Sequence, residues 1–197
     1  MKLVILERDG TLNALAEGEE FVASPDDWHA LPGALEAVAR INRQGWHAVV
    51  ATNQPGLGRG LFDVAALNAI HAKMHRLLSA AGGRIDAVFY CPHAPDEHCL
   101  CRKPAPGLLE QICDRYGVAA ADVQVVGSGA AHLQAGAAIG AQLHWLRSLS
   151  LPQPLPDTPL PGGLPPQTQV HQDLSAFADY LGRDEAMASE QAVLVAS

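Results

Sequence analysis

The chain has no long hydrophobic run and no excess of basic residues. At the N-terminus only Leu3–Leu6 is continuously apolar before Glu7, Arg8 and Asp9, which is too short for a signal-peptide core or a membrane span. Thirteen basic residues against twenty-one acidic ones give a formal net charge of −8. Such a chain repels nucleic acids and anionic membranes, so a phosphate group would need a local binding site. We therefore predict a cytoplasmic protein with no nucleic-acid partner and no membrane partner.

Cysteines are also few, with four in 197 residues. In a cytosolic protein such cysteines are typical of metal ligands or free thiols rather than of a disulfide framework. No internal repeat of the length found in solenoids or propellers is visible. Apolar residues make up 48% of the chain, which is enough for the core of one domain of this length and argues against disorder.

Short apolar runs alternate with segments of helical periodicity. The runs predict strands at 3–6, 48–52, 87–90, 123–126 and 143–146, and the periodic segments predict helices at 34–43, 67–78, 108–116 and 130–139. Strands that are apolar on both faces and separated by helices indicate a parallel sheet covered on each side. We therefore predict an α/β protein with a Rossmann-like, doubly wound parallel sheet, whose ligands bind at the carboxyl ends of the strands.

The predicted domain spans residues 1–182. Within it, segment 148–166 contains seven prolines and is predicted to be irregular. A short strand at 168–171 and a helix at 174–181 are expected to follow it. The last residues, 183–197, show no clear periodicity and are predicted to form a mobile tail.

The first predicted strand ends in Glu7-Arg8-Asp9-Gly10-Thr11. If strand geometry continues past Leu6, the carboxylates of Glu7 and Asp9 both point into the crevice at the strand end. Two such carboxylates suit metal binding, nucleophilic attack or acid/base catalysis. The alternative is a polar strand end followed by a turn.

A second cluster contains three cysteines and one histidine within eleven residues: Cys91, His93, Cys99 and Cys101. Four soft ligands without a position for water suit a structural, tetrahedral zinc ion. Such an ion would fix a loop that has no core of its own. His98 is a possible substitute ligand, the alternative is free thiols beside a surface histidine, and Cys113 is expected to be a small core residue.

Two further motifs are Thr52-Asn53-Gln54-Pro55-Gly56-Leu57-Gly58-Arg59 and Cys101-Arg102-Lys103-Pro104. With these motifs, and with the order and spacing of the others, the chain resembles the small heptose-bisphosphate and histidinol-phosphate phosphatases of the haloacid dehalogenase superfamily. The resemblance implies that superfamily's fold with a minimal cap, a monomer, and Mg²⁺-dependent hydrolysis of a phosphomonoester through an aspartyl-phosphate. A phosphorylated sugar such as heptose 1,7-bisphosphate is the implied substrate, with histidinol phosphate as its competitor.

The resemblance also implies roles for individual residues. The family's nucleophile corresponds to position 7, and Asp9 corresponds to the general acid/base. Thr52 would bind the phosphoryl oxygens and Lys103 would neutralise the phosphate. Further contacts with the substrate would come from Asn53, Gln54, Arg59 and Arg102. The alternative for Arg59 is a solvated loop residue, and the alternative for Arg102 and Lys103 is a solvent-facing basic pair.

Three positions depart from the family pattern. The nucleophilic aspartate is replaced by Glu7, whose extra methylene moves the carboxylate by about 1.5 Å and would crowd the phosphate, and misplacements near 1 Å cost on the order of 10²-fold in rate. The two aspartates that complete the magnesium site are replaced by Ser128 and His132. Because Mg²⁺ prefers anionic oxygen ligands, a site made of Glu7, Asp9 and Ser128 would be degenerate.

These departures leave three hypotheses. The first is a family member with lost or severely reduced hydrolysis that keeps a pocket for a phosphorylated sugar. The second is an active phosphatase in which Glu7, Asp9 and His132 bind manganese or zinc instead of magnesium. The third is a zinc-stabilised interaction module without a small-molecule ligand.

Overall fold

A computed structural model describes residues 1–16, 18–147 and 162–183. Its centre is a parallel six-stranded sheet with the order β3-β2-β1-β4-β5-β6. The strands are β1 (Leu3–Leu6), β2 (His47–Asn53), β3 (Ala87–Cys91), β4 (Val123–Gly127), β5 (Gln142–Leu146) and β6 (Gln169–His171). The predicted α/β class and parallel sheet are confirmed, and the strand bounds differ from the predicted ones by a residue or so at each end.

Helices connect the strands and cover both faces of the sheet. They are α1 (Ala34–Arg43), α2 (Pro55–Gly58), α3 (Val64–Ala80), α4 (Gly107–Tyr116), α5 (Ala130–Ile139) and α6 (174–183). A short 3₁₀ helix, Ala120–Asp122, precedes β4. No helix in the described ranges is both long and apolar enough to cross a membrane.

Strand β1 lies in the middle of the sheet because its residues are apolar on both faces. Leu3 pairs with His47 of β2 and with Val123 of β4, and this parallel register continues to Leu6. Val4 and Leu6 contribute to one hydrophobic core, whereas Leu3 and Ile5 contribute to the core on the opposite face. Central strands buried in this way hold the residues that follow them in a fixed position.

The C-terminal helix α6 completes the first core. Leu174, Phe177 and Leu181 are buried in that core. The helix is also tied to α1, since Arg40 donates to the carbonyl of Ser175 at 2.9 Å and Gln44 donates to that of Ala178 at 3.1 Å. Most of the predicted proline-rich segment (148–161) and the predicted tail (184–197) lie outside the described residues.

Candidate active-site crevice

The carboxylate of Glu7 contacts the loop between β4 and α5. Its Oε2 accepts hydrogen bonds from the backbone N–H groups of Ser128 at 3.1 Å and Gly129 at 2.8 Å. Gly129 is the N-cap residue of α5, so the carboxylate also lies at the positive end of that helix. Glu7 is therefore bound as an internal anion.

Two glycines make room for this arrangement. A Cβ atom at Gly127 would lie 2.8 Å from Oε2 of Glu7, and one at Gly129 would lie 2.8 Å from Oε1. Both positions are thus closed to any larger residue while Glu7 keeps this conformation. The extra methylene of glutamate is what carries the carboxylate across to the β4–α5 loop.

Lys103 lies beside Glu7 and is buried. Its ammonium group donates to the carbonyl of Ala51 at 2.9 Å and to Nδ1 of His132 at 3.0 Å, and it lies 3.5 Å from Oε1 of Glu7. Burial lowers the pKa of Lys103, while the Glu7 carboxylate opposes that shift. The backbone of Lys103 is fixed by Asn53, whose amide makes hydrogen bonds of 3.0 and 3.1 Å to it.

His132 is a fully buried, neutral histidine. Because the Lys103 ammonium can only donate, Nδ1 of His132 is the acceptor, and Nε2–H donates to the carbonyl of Ile5 at 3.3 Å. Burial and the charge of Lys103 hold the pKa of His132 well below its usual value. Both ring nitrogens are engaged, so this arrangement does not offer His132 to a metal ion together with Glu7 and Asp9.

Ser128, the second replaced position, is also engaged. Its hydroxyl donates to the carbonyl of Gly10 at 2.9 Å, and its backbone N–H lies 3.2 Å from Oγ1 of Thr11. The chemistry of the residues at positions 7, 128 and 132 therefore does not fit magnesium, which needs several anionic or neutral oxygen ligands in an octahedral arrangement.

Asp9 faces the crevice and is held by Arg8. The Arg8 guanidinium donates to both Asp9 oxygens at 2.9–3.1 Å. Asn13 and Gln54 each donate to Asp9 at 3.0 Å. These donors fix the orientation of the Asp9 carboxylate.

Arg8 and His71 were not identified as site residues from the sequence. Arg8 is fully buried, and its Nη1 donates to Nε2 of His71 at 3.0 Å. His71, predicted to be a surface or half-buried residue, is buried on α3, where burial and the Arg8 charge lower its pKa to about 4. His71 lies 63 residues from Arg8 in the chain. The sequence therefore offers no direct indication of the contact beyond the position of Arg8 between Glu7 and Asp9.

Thr52 and Gln54 complete the floor of the crevice at the end of β2. The Thr52 hydroxyl lies 3.4 Å from Oδ2 of Asp9 and accepts a hydrogen bond of 2.8 Å from Gln54. Both side chains are buried, and Oε1 of Gln54 has no hydrogen-bond partner among the residues that the structure describes. The structure thus brings Thr52, Gln54 and Asp9 together, as the motif spacing predicts.

The two arginines predicted to contact a substrate lie farther out. Arg59 is exposed and pairs with Glu20 at 3.0 Å. Arg102 is half-buried, with Nη1 3.5 Å from the carbonyl of His93. It lines a cleft of about 550 Å³ with Lys103 and His98. Arg102 is therefore beside the crevice lysine, whereas Arg59 belongs to the surface.

The four predicted zinc ligands come together at the end of β3. The ligand atoms of Cys91, His93, Cys99 and Cys101 all lie within 4.8 Å of one another. Nδ1 of His93 is 3.5 Å from the Cys91 sulfur and 3.4 Å from the Cys101 sulfur. Three thiols and one imidazole at these distances can hold a tetrahedral metal ion. His98 is not part of the group, and Cys113 packs against the second core.

The charged groups of the crevice balance without a metal ion. The carboxylates of Glu7 and Asp9 face the cations Arg8 and Lys103, and His71 and His132 are held neutral. Carboxylates at positions 128 and 132, as in the family pattern, would add two negative charges, which one divalent cation would offset. Serine and histidine at these positions carry no negative charge in this structure.

Known proteins resemble the chain along nearly its whole length. A model of the haloacid dehalogenase-like hydrolases matches residues 2–140. D-glycero-beta-D-manno-heptose-1,7-bisphosphate 7-phosphatase of Bordetella bronchiseptica is 50% identical over 181 residues, which are 92% of this chain and 98% of the relative. The enzyme of the same name from Pseudomonas aeruginosa is 38% identical over 179 residues, covering 91% and 97%.

Solved structures agree with the sequence comparison. A crystal structure of the B. bronchiseptica D,D-heptose 1,7-bisphosphate phosphatase, in complex with magnesium and phosphate, superposes with a TM-score of 0.85 at 48% identity and covers 93% of this chain and 99% of that one. The Burkholderia thailandensis phosphatase gives 0.69 at 45% identity, covering 92% and 99%. The chain therefore belongs to the haloacid dehalogenase-like hydrolases, in the family of the heptose 1,7-bisphosphate phosphatases.

Proposed function

We propose that this protein binds a phosphorylated sugar, of the heptose 1,7-bisphosphate type, and hydrolyses it extremely slowly or not at all. The observation that carries the proposal is the position of the Glu7 carboxylate, which is bound to the N–H groups of Ser128 and Gly129 and to Lys103. In that position Oε2 is held by the β4–α5 loop, and we infer that this contact keeps the carboxylate from the position that attack on a phosphorus atom requires. Positions 128 and 132 supply no carboxylate for the ion that would stabilise the transferring phosphoryl group.

The donors for a phosphate remain. Lys103 offers a buried cation, Thr52 a hydroxyl group, and the N-terminus of α5 offers backbone N–H groups. A phosphate that reaches these donors has to displace Glu7 from Lys103 and from the loop. Glu7 therefore acts as a competing anion that weakens phosphate binding.

Calorimetry with heptose 1,7-bisphosphate, combined with an assay of phosphate release, tests the proposal. We expect binding that changes by less than about twofold when Mg²⁺ is added, without phosphate release at the 1–10³ s⁻¹ usual for enzymes. Lys103→Met should abolish binding. Glu7→Gln, which keeps the acceptor for the loop N–H groups but removes the charge, should tighten binding by about tenfold, equivalent to about 1.4 kcal/mol.

Two outcomes would overturn the proposal. Magnesium-dependent phosphate release at an ordinary rate would show that the protein is an active phosphatase. Absence of binding to heptose 1,7-bisphosphate and to histidinol phosphate, in the unmodified chain and in Glu7→Gln, would leave the zinc-stabilised interaction module as the better hypothesis.

We also propose that Cys91, His93, Cys99 and Cys101 hold a structural zinc ion. Their ligand atoms are close enough for one ion, and the donor set is the one that zinc prefers. The segment between Cys91 and Cys101 contains no helix or strand, so the ion would replace a core there. It would thereby fix Arg102 and Lys103, which directly follow the last ligand.

Metal analysis and thermal unfolding test the zinc proposal. We expect one zinc per chain, and loss of that zinc in Cys99→Ser with a decrease in stability of about 3 kcal/mol, or roughly 6–12 °C in melting temperature. Cys113→Ser is the matched control, since Cys113 lies outside the cluster, and it should retain the metal. Zinc-free protein with an unchanged melting temperature would contradict the proposal.

A further inference from the structure

A groove of about 1010 Å³ lies between the start of α3 and the end of β3, and Pro92, His93 and Glu97 of the Cys91–Cys101 segment contribute to its lining. Leu57, Phe62, Val64 and Tyr90 form much of its lining. The volume is typical of a pocket for a small organic molecule. We call it the α3 groove.

The α3 groove is unlike a site for a sugar phosphate. Among the described residues that line it there is no lysine or arginine, whereas Asp63 and Glu97 contribute two carboxylates. Its rim is apolar, since Val64 is 51% exposed and the neighbouring Leu61 is 61% exposed. A phosphate would be repelled by the two carboxylates.

Both carboxylates are held in place by backbone hydrogen bonds. Oδ1 of Asp63 accepts from the N–H of Ala66 at 2.8 Å and caps α3, and Oε2 of Glu97 accepts from the N–H of Ala94. These bonds use one oxygen of each carboxylate. The charges are thus oriented before a ligand arrives, which lowers the entropic cost of binding.

The position of Glu97 depends on Gly58. A Cβ atom at position 58 would lie 2.6 Å from Oε2 of Glu97 and 2.5 Å from the backbone nitrogen of Ala94. The glycine therefore permits the loop that carries Glu97 to approach α2 closely. This contact closes one side of the α3 groove.

We propose that the α3 groove binds an organic cation, namely an amine with an aromatic or aliphatic body. The body would pack against Phe62, Tyr90 and Leu57, and the ammonium group would lie against Asp63 and Glu97, with aromatic faces nearby as further attraction. Such a ligand is complementary to the groove in both polarity and charge. The described lining of the groove does not include Glu7, Asp9 or Lys103, and the proposal goes beyond phosphate binding at those residues.

Three matched probes test the inference: 2-phenylethylamine, the neutral 2-phenylethanol, and the anion 3-phenylpropionate. In NMR titrations of the full chain we expect the amine to bind about tenfold more tightly than the alcohol, and the anion to bind most weakly, with shifts centred on Phe62 and Tyr90. The double variant Asp63→Asn/Glu97→Gln keeps both backbone acceptors, so the fold and the helix cap persist. In this variant the affinities for the amine and the alcohol should lie within about twofold of each other.

A second variant addresses shape instead of charge. Ala66 lines the groove. The variant Ala66→Phe should weaken the binding of both the amine and the alcohol by at least about fivefold, while thermal unfolding stays cooperative. The proposal would be overturned by equal affinity for the amine and the alcohol, by a preference for the anion, or by NMR shifts outside the groove. It would also be overturned if the amine did not bind at about 10 mM, a concentration at which weak fragments are detected.

Discussion

Replacing Glu7, Ser128 and His132 by aspartate in one triple variant is expected to produce magnesium-dependent phosphate release from heptose 1,7-bisphosphate, on the order of 10³-fold or more above that of the unmodified chain. Aspartate at position 7 is too short to reach the amides of Ser128 and Gly129 in the way that Glu7 does. Its carboxylate would remain in the crevice near Thr52. Aspartates at 128 and 132 would restore the negative charge that a divalent cation balances.

The gain should require all three changes. Glu7→Asp alone supplies the shorter nucleophile but no ligands for the ion, so we expect less than about a tenth of the effect of the triple variant. The triple variant with Asp9→Asn, which preserves size and one accepting oxygen but not the carboxylate, is the matched control and should lose the acquired activity. Release of phosphate by the unmodified chain at the rate of the triple variant would show that the three residues do not limit catalysis.

Acidification is expected to destabilise the protein strongly below about pH 6.5. Burial lowers the pKa of His71 to about 4 and that of His144 to about 3, and it holds the pKa of His132 well below the usual value. In the unfolded chain these histidines have a pKa near 6.5, whereas in the folded protein they stay neutral until the pH is much lower. The unfolded state therefore takes up more protons, and stability decreases as the pH falls from 6.5 towards 4.

The magnitude follows from linkage. A histidine whose pKa is lowered this far costs up to about 1.4 kcal/mol per pH unit, or about 2 kcal/mol at pH 5, so His71 and His144 together cost about 4 kcal/mol, and His132 adds to the loss in the same direction. This is a large part of the 5–15 kcal/mol, roughly, by which proteins are stable. Urea unfolding at pH 7.5, 6.5, 5.5 and 5.0 measures the decrease, with metal analysis at each pH to separate loss of zinc.

His71→Gln tests the contribution of a single residue. Glutamine can still accept a hydrogen bond from Arg8 but does not titrate. The number of protons taken up on unfolding, which is the slope of stability against pH, should therefore be lower by about one in this variant. The same change at the exposed His29 controls for the substitution itself. A free energy of unfolding that stays constant between pH 7.5 and 5.0 would contradict the prediction.

Much of this architecture could be predicted because the signals are local. Leu3–Leu6 and Val123–Gly127 are apolar on both faces, which specifies buried parallel strands, and parallel strands end at the same edge. That rule alone places Glu7, Thr52 and Ser128 near one another. The Cys/His cluster was equally accessible, since its four members lie within eleven residues of each other.

The conformation of the crevice residues could not be predicted in the same way. The sequence predicts that Glu7 crowds a phosphate, but the structure shows its carboxylate on the loop amides, because glycines at 127 and 129 leave space that appears only when β1 and β4 pair. Likewise His132 stands at a ligand position of the family but is buried beneath Lys103. These outcomes depend on contacts between residues far apart in the chain.

The space that Glu7 occupies beside Gly127 and Gly129 also constrains the order in which this sequence can change. With glutamate at position 7, any side chain at position 129 would collide with its carboxylate. Only after that glutamate has been shortened does position 129 become open to other residues. The residue at position 7 therefore decides which residues position 129 can accept, so substitutions at these two positions are coupled.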